Sequence, residues 1–142
     1  MTDHVLVPHD GSPQAAAALD YALAEFPEAE IVVLNVIDPM DVGYSAGAML
    51  PDFSEQWYES AKEATEDIFE EARAAAADHP GGFRTVRELG RPSQKIVDYA
   101  DEHDVDHVVI GSHGRTGVTR ILLGSVAETV ARRSPVPVTL IR

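Results

Sequence analysis

The amino-acid sequence predicts an α/β protein with a parallel β-sheet. Short apolar runs alternate five times with stretches of helical composition, a pattern typical of strands joined by right-handed helical crossovers. The 142 residues are 44% hydrophobic, which is enough for one domain with its own core. No repeat, low-complexity tract or linker interrupts the chain, so we expect residues 1–142 to form a single domain.

The first strand and helix are predicted close to the amino terminus. Val5–Val7 is a short apolar run of strand character. Ser12 is suited to cap a helix because its hydroxyl can accept from a first-turn N–H, and Pro13 suits the first helical position. Ala15–Phe26 has helical composition. Ile31–Ile37 is apolar without alternation, as expected of a second strand that is buried on both faces.

The middle of the chain is predicted to contain a loop, a long helix and a third strand. Asp38–Phe53 carries two glycines and two prolines, which favour a loop. The helix is predicted from Ser54 to about His79, because apolar and small residues recur near helical spacing. Pro80-Gly81-Gly82 ends it, and Phe83–Leu89 alternates as a strand.

The last third of the chain repeats the alternation. Gly90-Arg91-Pro92 is a turn that leads into a helix from about Ser93 to His103. His107–Ile110 is the predicted fourth strand, Val126–Arg133 the last helix and Val136–Ile141 the fifth strand.

The charge balance excludes some partners. The chain has 24 acidic and 11 basic residues, a net charge of −13. Such a surface repels phosphate backbones, so we expect no binding to DNA or RNA. Lys62 and Lys95 are the only lysines. Few lysines and many carboxylates resemble proteins of halophiles, in which salt screens the repulsion, and we favour that interpretation over an ordinary acidic protein.

Other features of composition limit the chemistry and the location. The chain has no cysteine, which excludes disulfides, thiolate metal sites and thiol catalysis. The first residues lack a basic signal-peptide region. The longest apolar run, Ile31–Ile37, is too short to span a bilayer. We therefore expect a soluble cytoplasmic protein that does not insert into a membrane.

The most informative motif follows the fourth strand. Gly111-Ser112-His113-Gly114 is separated by nine residues from Gly124-Ser125, which precedes the last helix. Glycines let a backbone approach an anion closely, and a helix N-terminus offers free N–H groups and a partial positive charge. The motif therefore predicts a site for a phosphorylated ligand. Its spacing matches neither a Walker-type loop nor a dinucleotide fingerprint.

The G-x2-G-x9-G-S spacing resembles the nucleotide motif of the universal stress protein family. Val5–Ser12 is similar to the opening strand and loop of that family, and Ser134–Ile141 is similar to its closing strand. The resemblance implies a doubly wound five-stranded parallel sheet, in the order 3-2-1-4-5, with helices on both faces. In such sheets ligands bind where the strand order reverses, here between strands one and four.

The resemblance also implies particular site residues. Pro8 and Asp10 correspond to family residues beside the nucleotide, and Val36 to a position whose backbone meets adenine. Asp10 is also a candidate magnesium ligand, because a carboxylate at a strand end can hold a cation that bridges phosphates. An Asx turn is the structural alternative for Asp10, whereas Val36 is on sequence alone a core strand residue.

The glycine motif supplies the predicted phosphate contacts. We expect Gly111, Gly114, Gly124 and Ser125 to surround the phosphates, although turn glycines are the ordinary alternative. Ser112 and Val126 are weaker candidates through their backbone N–H groups. Arg115 could neutralise phosphate charge or face solvent or a dimer partner. We expect His9 and His113, which flank the site, to pack or to face solvent.

The leading hypothesis is therefore an ATP-binding regulatory stress-response protein that binds ATP with magnesium and acts as a nucleotide-biased switch. No catalytic base is evident in the sequence, so any ATP hydrolysis should be slow. We also expect a homodimer joined through the last strand, which the family order places at the sheet edge, and a further protein partner that the sequence does not identify.

Two other functions are compatible with an α/β fold of this size. A phosphorelay receiver would need an acceptor aspartate after the third strand and a lysine after the fifth, and the sequence has neither. A protein-interaction module that keeps the fold without using nucleotide would be expected to lose the glycine motif, which is intact here.

Overall fold

The computed structural model describes residues 2–39, 55–112 and 124–142. Five parallel strands form one sheet in the order β3-β2-β1-β4-β5. This order confirms the predicted doubly wound α/β fold. The elements in chain order are β1 His4–Pro8, α1 Pro13–Glu25, β2 Glu30–Ile37, α2 Glu55–Ala75, β3 Phe83–Leu89, α3 Pro92–Glu102, β4 His107–Gly111, α4 Ser125–Arg133 and β5 Val138–Ile141.

Helix α1 begins as the sequence predicts. The Ser12 hydroxyl accepts a hydrogen bond from the Ala15 N–H at 3.1 Å, and Pro13 occupies the first helical position. The cap satisfies one of the N–H groups that a helix start leaves without an internal partner. It also fixes the direction in which the chain leaves β1.

Helix α2 ends at Ala75, four residues before the predicted end at His79. The amides of Ala77 and His79 donate to carbonyls three residues earlier, so the chain leaves the α-helical pattern before Pro80. Pro80 prevents the helix from continuing through His79, because a residue that precedes proline is disfavoured in the helical region. Among the described residues, no helix combines the length and hydropathy needed to cross a bilayer.

Strand β5 begins at Val138 rather than at the predicted Val136. The Ser134 hydroxyl donates to the Val136 carbonyl at 2.7 Å and accepts from the Val136 N–H at 3.1 Å. This local turn uses both backbone groups of Val136, so they are not available to the sheet.

The sheet separates two apolar cores. One core joins odd-numbered strand residues, such as Val5 and Val33, to α1 and α2. The other joins even-numbered residues, such as Leu6 and Leu34, to α3 and α4. β1 is central and Val5, Leu6 and Val7 are fully buried, which explains why its sequence is apolar on successive residues.

A crevice opens beside β1 because its two neighbours pair with it over different lengths. β1 pairs with β2 from His4↔Glu30 to Pro8↔Leu34. Its pairing with β4 consists of Val5↔His107 and Leu6↔Val108. The carboxyl ends of β1 and β4 are therefore not joined by this ladder, at the point where the strand order reverses.

Candidate functional site

A cavity of about 890 Å³ lies at the carboxyl ends of the strands. Its walls come from the ends of β1, β2 and β4, the middle of α2 and the starts of α3 and α4. Eight predicted site residues line it, namely Pro8, Asp10, Val36, Gly111, Ser112, Gly124, Ser125 and Val126. The other two, Gly114 and Arg115, lie outside the described residues, as does His113.

The turn between β1 and α1 is held by its own side chains. Asp10 Oδ1 accepts from the Ser12 N–H at 2.9 Å, which is the Asx turn considered as the alternative for Asp10. Gly11 has a φ of +86°, a left-handed conformation that a side chain would strain. The turn uses one carboxylate oxygen of Asp10, and the residue remains exposed at the cavity.

His9 is packed beneath this turn, as expected. It is 6% exposed, and its Nδ1 accepts from the Gly11 N–H at 3.0 Å. Burial lowers the pKa of the imidazole, while the charges of Asp10 and Glu71 oppose that shift. An imidazole that accepts at Nδ1 carries its proton on Nε2 when neutral. His9 therefore supports the turn as a neutral acceptor.

A buried polar network that the sequence analysis did not identify joins the turn to α2. Asn35 Nδ2 donates to the His9 carbonyl at 2.8 Å, and Asn35 Oδ1 accepts from Thr65 Oγ1 at 2.8 Å. Asn35 and Thr65 are both buried and line the cavity. The sequence contains one indication of this network, which is Asn35 within the apolar run Ile31–Ile37. A buried amide side chain requires hydrogen-bond partners.

The glycine at position 111 is explained by packing. A Cβ there would lie 2.9 Å from the backbone carbon and from the Cβ of Gln14 in α1. The close approach of β4 to α1 therefore requires glycine, whatever ligand is present. Gly111 lines the cavity, but its lack of a side chain is not by itself an indication of phosphate.

The backbone N–H and carbonyl of Ser112 both form hydrogen bonds within the protein. Its N–H donates to the Ile141 carbonyl at 2.7 Å, and its carbonyl accepts from the Gly124 N–H at 2.6 Å. The backbone contact expected from Ser112 is thus already used within the sheet. Its hydroxyl is different, because Ser112 is 1% exposed and its Oγ has no hydrogen-bond partner in the described part of the chain.

The start of α4 lies at the same end of the cavity. Gly124 is the N-cap and forms no side-chain cap hydrogen bond, and its carbonyl accepts from the Glu128 N–H at 2.9 Å. Helix geometry leaves the N–H groups of Ser125, Val126 and Ala127 without partners inside the helix. Together with the Ser112 hydroxyl, these donors form a site suited to an anion.

Protein ligands for a metal are sparse around the cavity. Across residues 2–39, 55–112 and 124–142, no group of three His, Cys, Asp or Glu side chains is arranged to hold a metal ion. Asp10 contributes one carboxylate, half of which is used by the turn. A cation here would need oxygens from a ligand, as magnesium commonly does beside phosphates.

Comparison with known proteins places these features in a family. The model of the universal stress protein family matches residues 1–142. The universal stress protein YxiE of Bacillus subtilis is 33% identical, with both chains covered completely.

Solved structures agree with that match. The structure of MJ0577, a universal stress protein of Methanocaldococcus jannaschii, superposes with a TM-score of 0.85 at 29% identity, covering 99% of this chain and 96% of that one. A universal stress protein solved in complex with cAMP has a TM-score of 0.66 at 25% identity, covering 99% and 97%.

Proposed function

Since the chain belongs to the universal stress protein family, we propose that it binds ATP with magnesium in the cavity beside β1 and acts as a nucleotide-biased regulatory switch. The relative solved with cAMP supports a nucleotide as the class of ligand. The cavity of about 890 Å³ falls in the range usual for small-molecule sites.

The observation that carries the proposal is the Ser112 hydroxyl. A buried hydroxyl without a partner costs stability, on the order of 1–3 kcal/mol. Ser112 lines the cavity, and its carbonyl accepts from Gly124 at the uncapped start of α4. A phosphate oxygen at this point would accept from Ser112 Oγ and from the first-turn amides of α4. The protein's unsatisfied donors thus match the acceptors of the ligand.

Magnesium would be held chiefly by the phosphates. The free oxygen of Asp10 is the protein ligand that we assign to it, directly or through water. His9 lines the cavity, but its Nδ1 is occupied by the Gly11 amide and burial lowers its pKa. It is therefore poorly placed to activate water, and we expect at most slow ATP hydrolysis.

The switch would act through the edge of the sheet. Ser112 donates directly to Ile141 of β5, so a ligand that positions Ser112 also positions the edge strand. β5 pairs with β4 on one side and ends the sheet order on the other. We propose that a second copy of the chain pairs there, and that nucleotide occupancy biases this dimer and its surface for a partner protein. We also propose that the protein functions in a salt-rich cytoplasm, because salt would screen the repulsion within a net charge of −13.

The direct test is to release and identify what copurifies with the protein. Denaturing the purified protein and analysing the supernatant by mass spectrometry should give an adenine nucleotide. If no nucleotide is released, and if the emptied protein also fails to bind ATP by calorimetry, the nucleotide-binding proposal is wrong. An interaction module that does not use nucleotide would then be the better account.

A further inference from the structure

Arg91 approaches the cavity from the start of α3, whereas the proposed phosphate site is at the start of α4. It is the N-cap residue of α3, is exposed, and lines the cavity. The Gly90 N–H donates to the Ile37 carbonyl at 2.8 Å. This bond fixes the start of α3 beside the end of β2, near Val36.

The side chain of Arg91 has no charged partner among the described residues. Two neighbouring cations are paired, since Arg84 lies 3.7 Å from Glu30 and Lys95 lies 3.9 Å from Glu88. Arg91 forms no ion pair within the described part of the chain. In a protein with 24 acidic residues, an arginine left unpaired at a cavity is a candidate for contact with a ligand.

The position of Arg91 argues against contact with the phosphates. The start of α4 follows β4, whereas Arg91 follows β3, and these strands are three spacings apart in the sheet. With about 4.8 Å between neighbouring strands, the ends of β3 and β4 are roughly 14 Å apart. Arg91 and the start of α4 therefore approach the cavity from different strands, and a ligand with its phosphates at α4 extends toward Arg91 at its other end.

The cavity wall near Arg91 is suited to a flat apolar group. Val36, Ile37, Pro92 and Ile96, from β2 and α3, line the cavity and offer apolar surface, with Asp38 and Ser93 as polar neighbours. A guanidinium group is planar and stacks on aromatic faces, including those of nucleobases. The charge of Arg91 and the apolar wall would thus lie on opposite sides of a base.

We propose that Arg91 is the residue that holds the base, by stacking its guanidinium group on the face of the ring against the wall formed by Val36 and Ile96. This inference rests on the proposed nucleotide binding and adds to it the group that fixes the base. Stacking is insensitive to the order of donors and acceptors on the ring. Arg91 would therefore add affinity for the base rather than for the phosphate chain.

The test compares Arg91→Ala and Arg91→Lys with Arg87→Ala, using ATP and AMP as ligands with magnesium and isothermal calorimetry as the measurement. Arg87 is the matched control because it is an exposed arginine of β3, forms no ion pair with the described residues and does not line the cavity.

Arg91→Ala should lower the affinities for ATP and for AMP by the same factor, about three- to tenfold. Arg91→Lys should lose nearly as much, since an ammonium group does not stack as a plane. Arg87→Ala should bind like the wild type.

Each other outcome overturns the inference. A larger loss for ATP than for AMP would mean that Arg91 contacts the β- and γ-phosphates, and full affinity in Arg91→Lys would mean that charge alone matters. Wild-type affinity in Arg91→Ala, with melting unchanged, would remove Arg91 from the site while leaving the proposed function intact. If the wild-type protein binds neither ligand, the proposed function fails and this inference with it.

Discussion

The N–H of Ser112 donates a 2.7 Å hydrogen bond to the carbonyl of Ile141. Ser112 therefore lines the cavity and is also joined through its backbone to the edge of the sheet. A ligand that accepts a hydrogen bond from the Ser112 hydroxyl would contact a residue whose backbone is already bonded to β5. The hydrogen bond from Ser112 to Ile141 is therefore sufficient to connect the proposed nucleotide site with the proposed dimer interface.

Ser112→Ala should weaken ATP binding without destabilising the protein. The hydroxyl has no partner in the described part of the chain, so its removal breaks no hydrogen bond and relieves the cost of a buried unsatisfied group. We expect an unchanged or higher melting temperature, with ATP affinity reduced about tenfold, as for loss of a hydrogen bond to a charged group.

Ser12→Ala is the control for that experiment. The Ser12 hydroxyl caps α1 by accepting from Ala15, and its loss should cost about 1 kcal/mol of stability. Thermal melting distinguishes the two serines. A melting temperature that falls as far in Ser112→Ala as in Ser12→Ala would mean that Ser112 has a structural partner.

Val138→Pro should convert the proposed dimer into monomers. The carbonyl of Pro137, directly before β5, accepts from Val108, and that of Ile141 accepts from Ser112. By alternation, the N–H of Val138 therefore faces the open edge. Proline removes that donor and leaves the bonds to β4 in place. Lysine would be a poorer choice, because the Val138 side chain packs on the core.

Arg87→Pro is the control at the opposite edge. The carbonyl of Gly82, directly before β3, accepts from Ile31, so by alternation the N–H of Arg87 also faces away from the sheet. Light scattering in molar salt should give a dimer for the wild type and for Arg87→Pro, and a monomer for Val138→Pro. A monomeric wild type would refute the dimer, and a dimeric Val138→Pro would refute the assigned strand.

The melting temperature should rise steeply between dilute buffer and molar potassium chloride. Repulsion within a net charge of −13 opposes the compact state, and the Debye length falls to about 3 Å at 1 M salt. Differential scanning calorimetry over this range measures the effect. If the melting temperature is flat, the acidity is that of an ordinary protein and gives no indication of a salt-rich cytoplasm.

Stability should fall as the pH decreases below about 6.5, and His9 should account for part of the loss. Burial holds the pKa of His9 below its ordinary value of 6.5. Between the folded and unfolded pKa values the unfolded chain binds the proton and the folded chain does not, so acid favours unfolding. Burial shifts the pKa of His107 in the same direction.

His9→Asn isolates that contribution, because the amide oxygen can still accept from the Gly11 N–H. The variant should lose less stability than the wild type between pH 7.5 and pH 5.5, with the range chosen to bracket the ordinary pKa of 6.5. Melting curves across this range measure the difference. Equal losses in the two proteins would show that His9 does not carry the acid sensitivity.

The fold was predictable from the sequence because its signals are local. Apolar runs without alternation indicated buried strands, and Ser12 with Pro13 marked a helix start that the structure confirms. The end of α2 and the start of β5 were harder to predict. The end of α2 lies close to the steric restriction of Pro80 on His79, and the start of β5 depends on the Ser134 hydroxyl, which competes with the sheet for the backbone of Val136.

The site was predictable as a set of positions but not as a set of contacts. Eight of the ten predicted residues line one cavity, because motifs at strand ends meet where the strand order reverses. The use of the Ser112 backbone by Ile141, and the network of His9, Asn35 and Thr65, arise between residues far apart in the chain. Such long-range pairing leaves no local pattern in one sequence.

The most direct test of the central claim is calorimetry of ATP with magnesium on the wild type and on the double variant Gly124→Val, Ser125→Ala. A side chain at Gly124 would occupy the space beside the first-turn amides of α4, and Ser125→Ala removes a hydroxyl at the same point. We predict that the wild type binds ATP and that the folded double variant does not. Unchanged ATP affinity in a folded double variant would contradict the assignment of the phosphates to this site.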